Sequence, residues 1–435
     1  MIYIKFQILK LTRTYSEHIV CIMKDKLNYK LEILADAAKY DASCASGTAG
    51  KRSAGKASKG VGSLTGGAGI CHSFTPDGRC VSLLKILMTN NCIYDCHYCI
   101  NRASSNIQRA RFTVEEVVDL TLGFYKRNYI EGLFLSSGII KSPDYTMESM
   151  VRIAKSLRED HHFMGYIHLK TIPNASPELQ EAAGLYADRL SINVEMPTQL
   201  SLNKYAPEKS LPNIENAMGH LKDKITEHKY SKTHTGKKLP RFAPGGQSTQ
   251  MIIGADNSND RTILTTSVGL YNNQKLRRVY YSAFSPIPDS SVILPLKPAP
   301  LIREHRLYQA DWLLRFYDFQ LDEILQGTSD NMLDMDHDPK MAWALRNRHI
   351  FPIDLNKADK KLLLRVPGLG AQTVAKILKL RRFTTIRWID LTKMRLPLQK
   401  MKPFIMVGDY TPPTYLLDSY HLPHMMKHPT QSELF

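Results

Sequence analysis

Residues 81–102 read VSLLKILMTNNCIYDCHYCINR, and the fold follows from how that stretch divides. Residues 81–89 form a nearly continuous apolar run, interrupted only by Ser82 and Lys85. A short apolar run of this kind, stopped by the polar pair Asn90-Asn91, reads as a strand buried on both faces in a parallel sheet. The residues that follow set Cys92, Cys96 and Cys99 in a C-x3-C-x2-C spacing on one tight loop. Three thiolates so close together suit one inorganic cluster: iron–sulfur clusters take Cys ligands, and a cubane has four irons. Three ligands leave one iron open, and an open iron implies chemistry. Zinc is the rival reading. It takes four ligands in paired C-x2-4-C arms, and no second arm follows; His97, between Cys96 and Cys99, reads as a solvated loop residue.

Outward from the loop the same alternation repeats. The apolar runs GLFLSSG, GYIHLKTI, RLSINVEM, STQMIIGA and RRVYYSAFSP alternate with amphipathic stretches such as VEEVVDLTLGFYKR, ESMVRIAKSLRED and SPELQEAAGLYA. Strands alternating with helices predict an α/β fold, a partial barrel of the (β/α)6 type with chemistry at the C-terminal strand ends. The cysteine loop follows the first of these strands, where such chemistry sits.

Cys92, Cys96 and Cys99, with the aromatic Tyr98 before the last, resemble the cluster loop of the radical S-adenosylmethionine superfamily. Within it, residues 29–325 resemble a subgroup of DNA modification or repair radical proteins, through KLEILADAAKYDASC, FTPDGRCVSLLKILMTNNCIYDCHYCINR, LFLSSGIIKSPDYTME and REHRLYQADWLLRFY. The resemblance implies an enzyme with a [4Fe-4S] cluster and S-adenosyl-L-methionine as cofactors, an electron donor such as flavodoxin or ferredoxin, and a 5′-deoxyadenosyl radical that abstracts hydrogen. It also implies cofactor contacts at Tyr98, at the backbone of Ser137 and Gly138, and at Lys170, Asn193 and Glu195. The superfamily's Gly-Gly-Glu run is replaced here by Ser136-Ser137-Gly138, which has no acid. Cys44, Cys71 and Cys80 read as isolated thiols rather than an auxiliary cluster, and Cys21 receives no role.

The chain has 435 residues, 43% hydrophobic and 23% charged, which allows two or three globular domains. Lys and Arg number 58 against 41 Asp and Glu, a formal +17, and that excess favours a polyanionic partner, nucleic acid above all. No apolar run reaches membrane-spanning length, and Lys5, Lys10 and Arg13 break the N-terminal stretch, so neither an anchor nor a secretory leader is expected; Met23 opens a better-behaved start. Seven cysteines with three in one loop fit a reducing cytoplasm. Residues 23–43 read as an amphipathic helix and 46–69 as a flexible Gly/Ser/Lys-rich segment. The expected organisation is an extension (1–70), the barrel (71–300), a helical connector (301–350), an all-α module (351–408) and a flexible tail (409–435).

That module carries the second piece of chemistry. DLNKADKKLLLRVPGLGAQTVAKILKLRR, residues 354–382, reads as helix, Gly-x-Gly turn, helix, with Gly368 and Gly370 allowing positive φ and close approach. It resembles a helix-hairpin-helix motif, which grips DNA phosphates at a helix N-terminus without reading sequence. The resemblance places Gly368, Leu369, Gly370, Gln372, Thr373 and Lys376 at the DNA, with Lys379, Arg381 and Arg382 nearby. WIDLTKMRLPLQKMKPFI reads as a degenerate second half in which Arg395-Leu396-Pro397 replaces the glycines. REHRLYQADWLLRFYDFQLDEIL reads as one helix whose Trp312, Leu313, Phe316 and Tyr317 pack domains together. The closing Gln431, Leu434 and Phe435 resemble a peptide that docks on a sliding clamp. The expected function is therefore a cytoplasmic radical enzyme modifying or repairing a base or deoxyribose of DNA. An RNA-modifying enzyme and a DNA-binding protein with a structural or redox-sensing cluster are the alternatives.

Overall fold

The computed structural model describes residues 26–38, 69–74, 79–234 and 240–427. Cys21, Cys44, the Gly/Ser/Lys-rich segment up to residue 68 and Gln431, Leu434 and Phe435 lie outside the described residues. The chain forms two compact units, one of residues 1–256 with 269–298, the other of residues 257–268 with 299–435.

In the first unit, helix α1 (26–37) precedes strand β1 (Ile70–Phe74), which runs antiparallel to β2 (Cys80–Leu87). From β2 onward the sheet grows in sequence order through β3 (Gly132–Ser136), β4 (Tyr166–Lys170), β5 (Arg189–Ser191), β6 (Gln247–Ile253) and β7 (Arg278–Ala283), each strand parallel to the last. The result is a curled, seven-stranded half-barrel, with all the parallel strands ending at one rim. Leu83, Leu84, Ile86, Leu133, Phe134, Leu135, Ile167 and Leu169 are fully buried in it, which is why these strands read as unbroken apolar runs rather than alternating ones.

Helices α2 (Val114–Lys126), α3 (Pro143–Glu159), α4 (Pro177–Tyr186), α5 (Gln199–Tyr205), α6 (Leu211–His234) and α7 (Asp260–Gln274) join the strands. Their starts are written locally. Thr113 and Glu116 form a capping box on α2, while Ser142-Pro143 and Ser176-Pro177 supply a cap and a proline first turn to α3 and α4. Glu116 also receives Lys30 at 2.7 Å, tying α1 to the start of α2.

The second unit holds α8 (Leu301–Phe316), α9 (Leu321–Leu325), α10 (Pro339–Arg346), β8 (Ile353–Asp354), α11 (Lys360–Arg365), α12 (Ala371–Leu380), α13 (Trp388–Lys393), α14 (Leu398–Met401) and β9 (Ile405–Met406), with β8 parallel to β9. The single helix expected over 303–325 is broken between α8 and α9. Arg365 is the reason: its guanidinium donates to the carbonyls of Tyr317 (3.0 Å) and Asp318 (2.9 Å) and to the Glu323 carboxylate (2.6 and 2.8 Å). Residues 409–427, expected as flexible tail, instead carry α15 (Thr414–Asp418) and α16 (Leu422–Met426). Leu417, Leu422 and Met426 are buried there, and the carbonyl of Pro423 lies 2.8 Å from His337 Nε2. Sparse apolar residues sufficed because each one finds a slot.

The glycines of the α11–α12 turn differ from each other. Gly368 has φ +84°, and a Cβ there would stand 2.9 Å from Cγ of both Pro397, just before α14, and Met401, at its end. Gly370, also expected to allow positive φ, takes φ −89°, and a Cβ on it would meet nothing closer than Tyr317 Oη at 3.6 Å. Arg395 occupies the left-handed position (φ +54°) in the second turn, at a strain cost that a non-glycine residue carries there. Urea denaturation should therefore separate the two glycines. Gly368→Ala is expected to lose about 1–3 kcal/mol, while Gly370→Ala stays within about 1 kcal/mol of wild type.

Candidate active site

The cysteine loop leaves β2 at the C-terminal rim and is fastened before it reaches the first thiol. Thr89 Oγ1 donates to the carbonyl of Ala110 at 2.7 Å, and Asn90 bridges both ways, Nδ2 to Gln108 O (2.7 Å) and Oδ1 from Ala110 N (2.8 Å). Inside the loop the Arg109 guanidinium donates to the carbonyls of Asn101 (2.9 Å), Arg102 (2.6 Å), Ser105 (2.9 Å) and Asn90. From outside, Asp289, after β7, accepts from Arg102 and, at 3.3 Å, from Asn106 N. Asp95 accepts from the Ser104 amide at 2.9 Å, which holds its carboxyl below the usual carboxylate range. Sequence reading found none of these anchors, because each partner is an ordinary polar residue whose role exists only once the loop is closed.

The three cysteines line a cavity of about 190 Å³. Tyr98, Ser137, Gly138, Lys170, Asn193 and Glu195 line it too, so every cofactor candidate from the sequence meets the cysteines in one place. Gly138 is close-packed: a Cβ would stand 2.8 Å from Asn91 O, and the neighbouring Ile139 amide donates to Cys92 Sγ at 3.3 Å. Burial pushes the Cys96 thiol up to about 12, against the pull of Lys209, and raises Cys99 as well. Metal loading must therefore displace protons from these thiols.

Lys209, in the connection between α5 and α6, is the site residue that sequence reading missed. Its Nζ lies 3.2 Å from Glu195 Oε1 and 3.2 Å from Tyr98 Oη, with the Glu195 side chain only 8% exposed. Burial works against the charge on Lys209, yet Glu195 and Tyr98 hold its pKa well above the ordinary value. Its neighbour Glu208 accepts from the Asp95 amide at 2.9 Å, and Tyr205 O accepts from His97 N at 2.8 Å, so this connection closes over the cysteine loop. Cys80, by contrast, begins β2 at the end away from the loop, about 23 Å of strand from it. Cys71 pairs with Leu83 in the first half of the same strand.

Residues 86–236 match the Radical SAM superfamily. That stretch is a radical S-adenosylmethionine domain. Members of the superfamily are enzymes, bind a [4Fe-4S] cluster and S-adenosylmethionine, and draw on an electron donor. No curated protein matches the chain in sequence. Among solved structures it is similar to the FeFe-hydrogenase maturase HydG from Carboxydothermus hydrogenoformans (15% identity, 53% of this chain, 49% of that one, TM-score 0.40). It is also similar to methylornithine synthase (16%, 53% and 61%, 0.39) and to coproporphyrinogen III oxidase from Escherichia coli (14%, 58% and 55%, 0.33). The chain thus spans about half to three-fifths of the length of each.

The residues present fit the two cofactors. Cys92, Cys96 and Cys99 line one cavity together, as suits a cubane, in which each thiolate has its own iron. Ser136 Oγ and Asn193 Oδ1, both in the cavity lining, are buried without a partner, and each such atom costs about 1–3 kcal/mol until something fills it. No helix of the described residues is long and apolar enough to cross a membrane.

In the second unit, Gly370 is the N-cap of α12 and no side chain caps that helix. Gln372, Lys376, Lys379 and Arg382 are exposed on or just after it, with Thr373 half-buried. Two residues of the set expected at or near the DNA are committed elsewhere. Leu369 turns inward and is buried, and Arg381 donates to the carbonyls of Leu355 and Ala358. The turn also meets a buried cation: Lys340 Nζ donates to Leu369 O at 2.5 Å, and burial lowers its pKa to about 7.

Two measurements follow from these anchors. Arg109→Ala strands four loop carbonyls, and reconstituted iron should fall well below the roughly four atoms per chain of a cubane while far-UV circular dichroism keeps its native shape. For Lys340 the folded pKa lies below the unfolded one, so the unfolded chain binds more protons between pH 7 and 10.5 and stability rises with pH across that window. Relative to Lys340→Met, wild-type unfolding free energy should gain about 2 kcal/mol from pH 7 to pH 9.

Proposed function

We propose that the chain is a radical S-adenosylmethionine enzyme acting on DNA, modifying or repairing a base or deoxyribose. One observation carries the DNA half of this reading: an uncapped helix N-terminus after a tight glycine turn, flanked by the exposed Lys376 and Lys379, in a chain of net charge +17. Free amides and a helix dipole at such an end favour phosphate whatever the base sequence. The second unit thus acts as a helix-hairpin-helix module, with Gly370 rather than a capping side chain leaving the amides open.

When bound, the cluster and S-adenosylmethionine supply a 5′-deoxyadenosyl radical able to take hydrogen from carbon. The chain's own residues hold and shield it. Cys92, Cys96 and Cys99 bind the cluster, the Ser137–Gly138 backbone and Lys170 receive the cofactor's amino-acid end, and Asn193 and Glu195 receive its ribose. Lys209 holds Glu195 and Tyr98 together in the cavity wall. A base within a duplex is out of reach of such a cavity, so the substrate nucleotide is unpaired or extruded before reaction. Flavodoxin or ferredoxin in the cytoplasm supplies the electron.

Duplex binding by fluorescence anisotropy over a salt series tests the reading. Wild-type log K should fall linearly with log salt, and the doubly charge-reversed Lys376→Glu, Lys379→Glu protein should show a slope smaller by about 1.8, two phosphate contacts at about 0.9 each. Equal slopes in the two proteins would remove the hairpin from the interface. Anaerobic release of 5′-deoxyadenosine above a Cys96→Ala control tests the radical half separately.

A further inference from the structure

The second unit contains a cavity of about 470 Å³ that the phosphate-gripping role leaves unused. It lies within the size range of small-ligand sites, and the turn Gly368–Gly370 forms part of its wall. Another wall is aromatic: Trp312 of α8, 47% exposed, and Tyr317, with the Lys340 ammonium 4.7 Å from the centre of the Tyr317 ring. Trp312 is also 4.9 Å from Phe316, itself 47% exposed, so a pair of large apolar rings faces outward where packing would have covered them.

We infer that this cavity is a binding pocket for one unpaired nucleobase, stacked against Trp312, of the same strand whose phosphate the α12 N-terminus holds. The inference rests on the DNA reading above and deepens it. A nucleotide has a flat face, polar edges and an attached anion, and the cavity offers a complement to each. Trp312 supplies the flat face. Lys340, 7% exposed, has three ammonium donors of which Leu369 O takes one, leaving donors for an edge or a phosphate oxygen. Gly370, in the wall, is the cap of the helix whose amides receive the anion. Asp338 also lines the cavity, where its Oδ1 accepts from the amides of Lys340 and Met341 at the start of α10. Base stacking on an aromatic side chain is sequence-tolerant, which suits a module that grips backbone without reading it. The expectation that Trp312 and Tyr317 serve only to pack domains gives way to this role.

The test uses the full-length protein with its cluster reconstituted, and a pair of fluorescent duplexes of one sequence, fully paired or carrying one bulged thymine. The bulged duplex should bind about tenfold more tightly, the size of one stacked base. Trp312→Leu should bring that ratio to near one, Trp312→Phe should retain most of it, and Lys376→Glu should weaken both duplexes while keeping the ratio. A ratio near one in the wild type, with both duplexes bound tightly, overturns the pocket and leaves the DNA reading standing; so does a full ratio in Trp312→Leu. Failure of the wild type to bind either duplex overturns the DNA reading, and the pocket with it.

Discussion

The arrangement at the cavity depends on one guanidinium. The stretch from Cys92 to Arg109 contains no described helix or strand, and ordering each such residue costs about 1–2 kcal/mol in backbone entropy. Its few buried apolar side chains, Cys96 and Ile100 among them, do not offset that alone. Arg109 gathers carbonyls from both ends of the loop, Asn90 before the first thiol and Asn101, Arg102 and Ser105 after the last. Charge-assisted bonds of this kind are the strong ones, and they fix the separation of the thiols without any side chain entering the cavity. Asp289, Glu208 and Tyr205 then press the loop from two later segments, so the cysteine geometry is set by contacts from residue 90 to residue 289.

That dependence explains which parts of the fold and site were legible in the sequence. The parallel strands showed themselves because double-sided burial demands unbroken apolar runs, and the cysteine spacing because three ligands to one cluster must sit close in the chain. Asn193, Glu195 and Lys170 were visible as polar residues at strand ends. Lys209 was not: it sits in a connection whose local sequence, Pro-Glu-Lys-Ser, gives no hint that its ammonium returns to a carboxylate fourteen residues earlier. Arg109 and Asp289 were hidden for the same reason, since a long-range hydrogen bond leaves no periodicity. The break after α8 was hidden because Arg365 enforces it from more than forty residues away.

The glycine turn of the second unit illustrates the converse, a local signal that was read correctly in kind and wrongly in detail. The Gly-x-Gly pattern suggests two positions of equal need, yet only Gly368 is held by positive φ and by contact with Pro397 and Met401. Gly370 is required for something it lacks. Without a side chain it cannot cap α12, whereas Thr113, Ser142, Ser176, Thr198, Asp338 and Asp359 cap theirs. The first glycine is a packing constraint, while the second leaves α12 without a side-chain cap, as α8, α14, α15 and α16 also are, so two identical residues meet different physical demands.

Two buried lysines show how the same side chain is put to opposite uses. Lys209 stands against Glu195 and Tyr98, and its pKa is held well above the ordinary value; the carboxylate compensates burial and the charge is permanent. Lys340 donates to the Leu369 carbonyl and lies against the Tyr317 ring, with no carboxylate bonded to it among the described residues, and burial lowers it to about 7. A permanent ion pair is a fixed strut, and removing one partner would leave a stranded charge. In the first unit the charge of Lys209 is paired with Glu195 in the cavity wall. In the second unit Lys340 accepts no such compensation, and burial lowers its pKa instead.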